Sequence, residues 1–305
     1  MFHTDCSNNE TARLGFDVLL FSHGNADSGF HYRLELYFIH IHPWCPILHP
    51  QTIRENFDSP DSYEDIIVLH AVLAITMRFF KDTLSVADRE HHRTKSADIV
   101  RSYGMEHSSV KVLQAMVILA LDIVGSQSGP PVWKFLAVIT ETAGHLDLTL
   151  DKYMPDMPNE KSISTMRGVI LPQGGSWLEG ERRRRLFWMI YLLDRYARIV
   201  TAFDFKLHEQ DIGRRLPCQD IYYEKNVEKT TKFFQVLPPD KDLHDNENLG
   251  SFAFYIEAVH MLSIVHTFLR KKFNIADPLK ADEWRHEYRQ CDENLNKWKG
   301  AIPAA

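Results

Sequence analysis

Apolar positions along the 305-residue chain recur at spacings of three and four, the period of a helix with one buried face. From Phe30 to Ile41, Leu34, Tyr37, Phe38 and Ile41 keep that spacing until Pro43 and Pro46 stop it, which predicts a helix followed by a corner. Ser62 with Asp65 three residues on is a capping-box variant, and the apolar run Ile66–Phe80 behind it predicts a helix buried on most sides. Ser85 with Asp88 repeats the signal ahead of a more polar helix reaching about Tyr103, expected on the surface. Val110, Leu113, Val117, Ala120, Leu121 and Val124 form one stripe that Gly125 closes. Pro130 and Pro131 can open the next helix, because a proline in the first turn gives up no intrahelical hydrogen bond.

Leu148 to Gly175 contains Pro155, Pro158, Pro172 and the pair Gly174-Gly175, which predicts a long crossover and the best internal boundary. Glu179–Ala202 predicts a helix with apolar residues on most of its circumference, hence a central one. Residues 203–249 are charged and irregular, and are expected as a surface excursion. Phe254, Ala258, Met261, Leu262, Val265, Phe268 and Leu269 mark another long amphipathic helix. Trp284, Tyr288, Cys291, Leu295 and Trp298 form the seam of a final helix expected to dock on the core. With no series of alternating strands and no fixed repeat, the class is all-α: a large multi-helical domain of antiparallel and irregularly packed helices. The expected organisation is a partly ordered lead over 1–29, a helical domain over 30–299, as one body or two packed halves joined near 148–178, and a tail over 300–305.

Composition narrows the function. A 44% hydrophobic content supports a substantial core, and 35 basic against 41 acidic residues leave a net charge of −6, without the positive field that dominates nucleic-acid affinity. Cys6, Cys45, Cys218 and Cys291 are scattered without the spacing of a zinc module. No apolar run is read as approaching the ~18 residues of a membrane span. Met1–Glu10 lacks the hydrophobic segment of a secretory signal, so a reducing intracellular compartment is expected.

Dinucleotide, P-loop, zincin and EF-hand signatures are absent. Gly125-Ser126-Gln127-Ser128-Gly129 carries Gln127 where a nucleophile would stand and joins two helices, so it reads as a turn. His40 and His42, two residues apart, cannot share a helical face to bind a metal, and His91-His92 reads as a solvated face. Asp240, Asp242, Asp245 and Glu247 fall in the excursion, not on the facing helices that diphosphate–magnesium chemistry uses. No catalytic, cofactor or metal residue is assigned. Arg182–Arg185 could suggest DNA contact or nuclear import, yet four cations near a helix N-terminus oppose its dipole, and the helix runs straight into Leu186-Phe187-Trp188. Glu181–Arg185 and Asp194–Arg198 lie at the favourable four-residue spacing, so structural ion pairing is expected.

Arg183-Arg184-Arg185-Leu186-Phe187-Trp188, then Leu193-Asp194-Arg195, Asp211-Ile212 and Leu216-Pro217-Cys218 together resemble the signature of the fungal-specific transcription factor domain, the middle homology region of zinc-binuclear-cluster regulators. Tyr37-Phe38 and His42-Pro43-Trp44-Cys45-Pro46-Ile47-Leu48-His49 resemble the opening motif of the same family. Phe252-Ala253-Phe254, Val265 through Arg270 and Leu295-Asn296-Lys297-Trp298 resemble its later helices, so the likeness runs from Leu34 to Trp298. Where the family usually has a Gly-Arg-Pro turn, this chain has Thr201-Ala202-Phe203.

The resemblance implies an all-α regulatory and protein-interaction domain of a nuclear transcription factor, working through other transcription-regulatory proteins or domains, and not an enzyme. It implies zinc only in a separate DNA-binding cluster, which this sequence does not contain, so the chain itself is expected to bind neither specific DNA nor membranes. Arg183, Arg184, Arg185, Trp188, Asp194, Arg195, Asp211 and Pro217 are then fold-specifying, with Tyr37, Phe38, His42, Pro43 and Pro46 in the opening motif. A small-molecule-sensing effector domain with an aromatic-lined pocket is the alternative, and an all-helical enzyme of unrecognised type stands behind it.

Overall fold

The computed structural model describes residues 26–80, 84–126, 129–151, 175–234, 246–271 and 278–302, without the side chains of 26–31, Asp58 and Pro278. The helices are α1 (Ala26–His40), α2 (Pro50–Asp58), α3 (Tyr63–Thr76), α4 (Val86–Glu106), α5 (Val110–Ser126), α6 (Pro130–His145), α7 (Trp177–Thr201), α8 (Asp220–Glu224), α9 (Ser251–Leu269) and α10 (Pro278–Ala301). Short 3₁₀ turns cover Met77–Phe79 and Glu209–Asp211. No strand forms among the described residues, and isolated bridges join Leu150 to Gly213, Arg215 to Phe233 and Cys218 to Leu249. The lead over 1–25, the Gln127-Ser128 pair, the crossover over 152–174 and Asp240, Asp242 and Asp245 lie outside the described residues.

Local chemistry starts the helices where the sequence pointed. Ser62 caps α3: its backbone N–H donates to the Asp65 carboxylate at 3.0 Å, and Lys111 of α5 stands 2.8 Å from the same group. The buried end of α3 therefore carries a neutralised charge. The Ser85 hydroxyl accepts from the Asp88 N–H at 3.1 Å to open α4. Gly129, at φ 100°, turns the chain into α6 through a conformation that a side chain would strain.

Every residue from Asp65 to Thr76 on α3 and from Val112 to Ile123 on α5 is buried, as are Arg184 to Arg195 on α7. These three helices form the centre. α1, α2 and α4 lie on α3, α5 lies between α3 and α6, and α7 packs on α5, α6 and α9. Each fully buried Leu, Ile or Phe contributes roughly 1.5–3 kcal/mol, so the unbroken apolar runs dictate a position with neighbours on all sides. α4 is the surface helix expected: it buries only Ser96, Ala97, Val100 and Gly104. A Cβ on Gly104 would stand 2.7 Å from the Met116 sulfur, so glycine sets how closely α4 approaches α5. One apolar core takes residues from both sides of the crossover, Leu34 to Leu148 and Leu186 to Val259.

Three expectations change. Residues 203–234 are not a surface excursion, because Leu207, Ile212, Leu216, Cys218 and Tyr223 are buried against α7. α9 is, by length and composition, apolar enough to cross a membrane, although no such run was read from the sequence; in this fold it packs between α7 and α10 with a third of that stretch buried. The seam of α10 is only half covered: Trp284 meets Phe268 of α9 at 5.1 Å between ring centroids, whereas Tyr288 and Leu295 are exposed.

Candidate functional site

The run Arg182–Arg185 turns inward. Ser176 caps α7 by accepting from the Glu179 N–H at 3.2 Å, and Glu179 then takes Arg183 at 2.9 Å and Arg182 at 4.0 Å. One turn on, Glu181 is fully buried and accepts from Arg185 Nε at 3.0 Å, from Arg184 Nη1 and from the Cys218 backbone N–H at 3.0 Å. Arg184 also reaches Asp151 at 2.9 Å. Burial pushes the Asp151 carboxyl up, but the Arg184 and Arg214 charges outweigh it and hold the group below its ordinary range.

Arg185 is the point of convergence. It donates to Asp220 at 2.6 Å, to the Cys218 carbonyl at 2.7 Å and, at a longer 3.4 Å, to the Pro46 carbonyl, and its guanidinium lies 4.1 Å from the Tyr223 ring centre. The opening motif, the arginine run and the Leu216-Pro217-Cys218 segment thus share one side chain. Pro46 and Pro217 are buried beside it, while Pro43 is exposed. His42 is buried, and burial, followed by the nearby Arg185 charge, lowers its pKa to about 4, so it is neutral near pH 7. His40 leaves that cluster and stacks on Phe79. Tyr37 is buried with its edge against Phe38, which is half-buried.

Further along α7, Trp188 is fully buried, donates to the Arg215 carbonyl at 2.7 Å and packs against Phe234. Asp194 accepts from Arg195 at 3.0 Å and from the Lys206 N–H at 3.1 Å, which pins the chain as it leaves the helix, and forms an ion pair with Arg198 at 3.4 Å. Arg195 donates to the Leu207 carbonyl at 2.8 Å and lies over Tyr191 and Phe205. Asp211 does not join this group. It is exposed, and Glu209 of the same 3₁₀ turn faces the cluster instead, 3.0 Å from His260 and 3.7 Å from Arg195. The sequence reading also missed Asp151, Asp220 and Arg214.

This arrangement can hold helices together. Burial pushes the Cys218 thiol up to about 12 and the Cys45 thiol higher still, so neither is a nucleophile near neutrality. Among the described residues no three His, Cys, Asp or Glu side chains gather as a metal-ligand set. His91 is exposed and His92 half-buried, which departs from a fully solvated pair.

An all-α core locked by inward-facing arginines defines a helical scaffold. The family described as the fungal specific transcription factor domain matches residues 34–300, and the chain belongs to it. It is a middle homology region, the regulatory part of fungal zinc-cluster transcription factors. An uncharacterized transcriptional regulatory protein of Schizosaccharomyces pombe is 23% identical over 84% of this chain. The Zn(2)-C6 fungal-type transcription factor FTF1c of Fusarium oxysporum f. sp. lycopersici is 23% identical over 78%, and the asperfuranone cluster transcription factor afoA of Emericella nidulans is 23% identical over 65%. The chain spans 26% of the length of each of the first two and 31% of the third. No solved structure matches it.

Proposed function

We propose that the chain acts in the nucleus as the regulatory and protein-interaction module of a fungal transcription factor, with 30–299 working as one unit. Its partners are other transcription-regulatory proteins or domains, it contacts no membrane, and DNA recognition is supplied elsewhere. The observation that carries this reading is the inward turn of Arg182–Arg185. Side chains that would otherwise offer a basic patch are engaged by Glu179, Glu181, Asp151 and Asp220, in a chain of net charge −6.

Two measurements test it. Fused between a heterologous DNA-binding domain and an activation domain in a fungal cell, the chain should change reporter output by several-fold, and an unchanged output would remove the regulatory reading. Fluorescence anisotropy should show only weak DNA binding, indifferent to sequence and lost with salt. Submicromolar, sequence-selective binding at physiological salt would overturn the division of labour.

A further inference from the structure

Where α4 begins and α5 ends, a cavity of about 310 Å³ opens among Met77 and Arg78 of the 3₁₀ turn, Val86, Arg89, Glu90 and Arg93 of α4, and Asp122, Gly125 and Ser126 of α5. Three guanidinium groups face two carboxylates there. Asp122 is buried and accepts from Arg93 at 2.7 Å and from Arg78. Glu90 takes the other two nitrogens of Arg93 at 3.0 and 2.7 Å, so Arg93 is fully engaged. Arg78 spends Nη2 on Asp122, on its carboxylate and its carbonyl. The Arg89 side chain has no hydrogen-bond or ion-pair partner among the described residues, and its Nε is shielded from water without an acceptor. An N–H that has lost water and gained nothing is unfavourable, and native structures rarely leave one so.

The cavity therefore keeps one uncompensated positive charge inside an otherwise acidic chain. The first turn of α4 holds Val86 and Arg89, and its dipole is met by the exposed Asp88, which lies outside the cavity lining. The opposing carbonyls at the end of α5 are already covered, since Ser126 donates to the Asp122 carbonyl at 2.8 Å and Arg78 at 3.3 Å. Gly125 leaves Arg78 its place: a Cβ there would stand 3.2 Å from Nη1. Met77 and Val86 give the cavity an apolar wall, and the volume lies at the low end of small-ligand sites.

We propose that this cavity binds a small organic carboxylate. Its carboxylate lies on Arg89 and the free edge of Arg78, in the forked geometry a guanidinium offers, and its apolar part lies on Met77 and Val86. One carboxylate brings the cavity to neutrality. The inference is independent of the role in transcription, because it concerns binding to the chain itself.

Titration calorimetry of the full chain with benzoate and butyrate, with benzamide as the uncharged counterpart of benzoate, tests it at low ionic strength. Saturable one-site binding of an acid is expected, with none of the amide. Arg89→Gln should weaken binding by about tenfold or more, because a charge-assisted hydrogen bond is lost. Arg89 holds nothing else in place, so this variant should keep the parent's urea midpoint. Arg89→Lys should bind between the two, keeping the charge without the fork. The proposal is overturned by equal binding to Arg89→Gln, by a response that chloride reproduces at matched ionic strength, by inorganic phosphate binding as tightly as the acids, or by no binding of either acid up to about 10 mM.

Discussion

α7 and α10 are nearly the same length, 25 and 24 residues, and both combine aromatic with charged side chains, yet their fates are opposite. α7 buries three arginines and two carboxylates along with its apolar residues, and α10 has no buried residue among its described side chains, Leu279 to Ala301. The difference lies in the neighbours. α7 has α5, α6, α9 and the 203–234 segment around it, and Glu181 and Asp194 supply acceptors to Arg184, Arg185, Arg195 and the backbone N–H groups of Cys218 and Lys206. α10 lies chiefly on α9, through the Trp284–Phe268 contact, a Trp298 to Glu257 hydrogen bond of 3.0 Å and a Lys271–Glu287 pair at the surface. Periodicity shows which face of a helix is apolar; depth is decided by what other segments bring to it.

The comparison breaks most directly at Glu181. Glu181→Ala takes an acceptor from two buried arginines and the Cys218 N–H at once, with Arg184 keeping Asp151 and Arg185 keeping Asp220, and should remove about 3–5 kcal/mol of stability in urea unfolding. A midpoint equal to the parent's would mean the inward charges are incidental. Asp194→Ala should remove about 3 kcal/mol, because Arg195 keeps its bond to the Leu207 carbonyl. Hydrogen exchange at Lys206 should quicken in the same variant, and unchanged exchange would show that the carboxylate does not pin that segment.

Acid acts on the buried centre of the fold, on α3. Burial, followed by the Lys95 charge, lowers the pKa of His70 on α3 to about 4, below the 6.5 of an open histidine. The unfolded chain therefore binds the proton first, so the associated stability is complete above pH 6.5 and is lost as pH falls towards 4. Roughly 3 kcal/mol is at stake, and His70→Leu should cut the pH slope of unfolding by one proton across that window. Deleting 278–305 should cost less, about 1 kcal/mol by the burial of Phe268 alone, and leave one cooperative transition. A collapse of cooperativity would place α10 in the core after all. Smallest of all, Leu295→Gln should stay within about 0.5 kcal/mol of the parent, as exposed positions do.

The helices were legible because their start signals are local. Ser62 with Asp65, Ser85 with Asp88 and Pro130 each act within one turn, and the Glu181–Arg185 and Asp194–Arg198 pairs follow from four-residue spacing on one helix. The rest of the cluster was not, because its partners come from far along the chain. Asp151 meets Arg184 across 33 residues and Asp220 meets Arg185 across 35, and nothing in the composition around either acid marks it. Asp211 fitted the motif while Glu209, two residues earlier, does the contacting, because the 3₁₀ turn rotates one acid inward and the other out. The buried course of 203–234 was hidden for a related reason: its apolar residues are sparse and keep no period, and they are covered by a helix already committed elsewhere.

The bond from Arg185 to the Pro46 carbonyl spans 139 residues, and the same guanidinium waits for Asp220, 35 residues later. A chain emerging from the ribosome therefore carries α1 to α6 long before the side chain that fastens their first corner exists, and that side chain has Glu181 but lacks Asp220 and the Cys218 carbonyl until the segment through α8 follows it. Contacts of such separation are costly to close and slow to form. The N-terminal half must persist as a loosely joined group of helices during synthesis, exposing the apolar flanks of α5 and α6 that α7 later covers, and making translation through α8 the step that commits the domain to its final form.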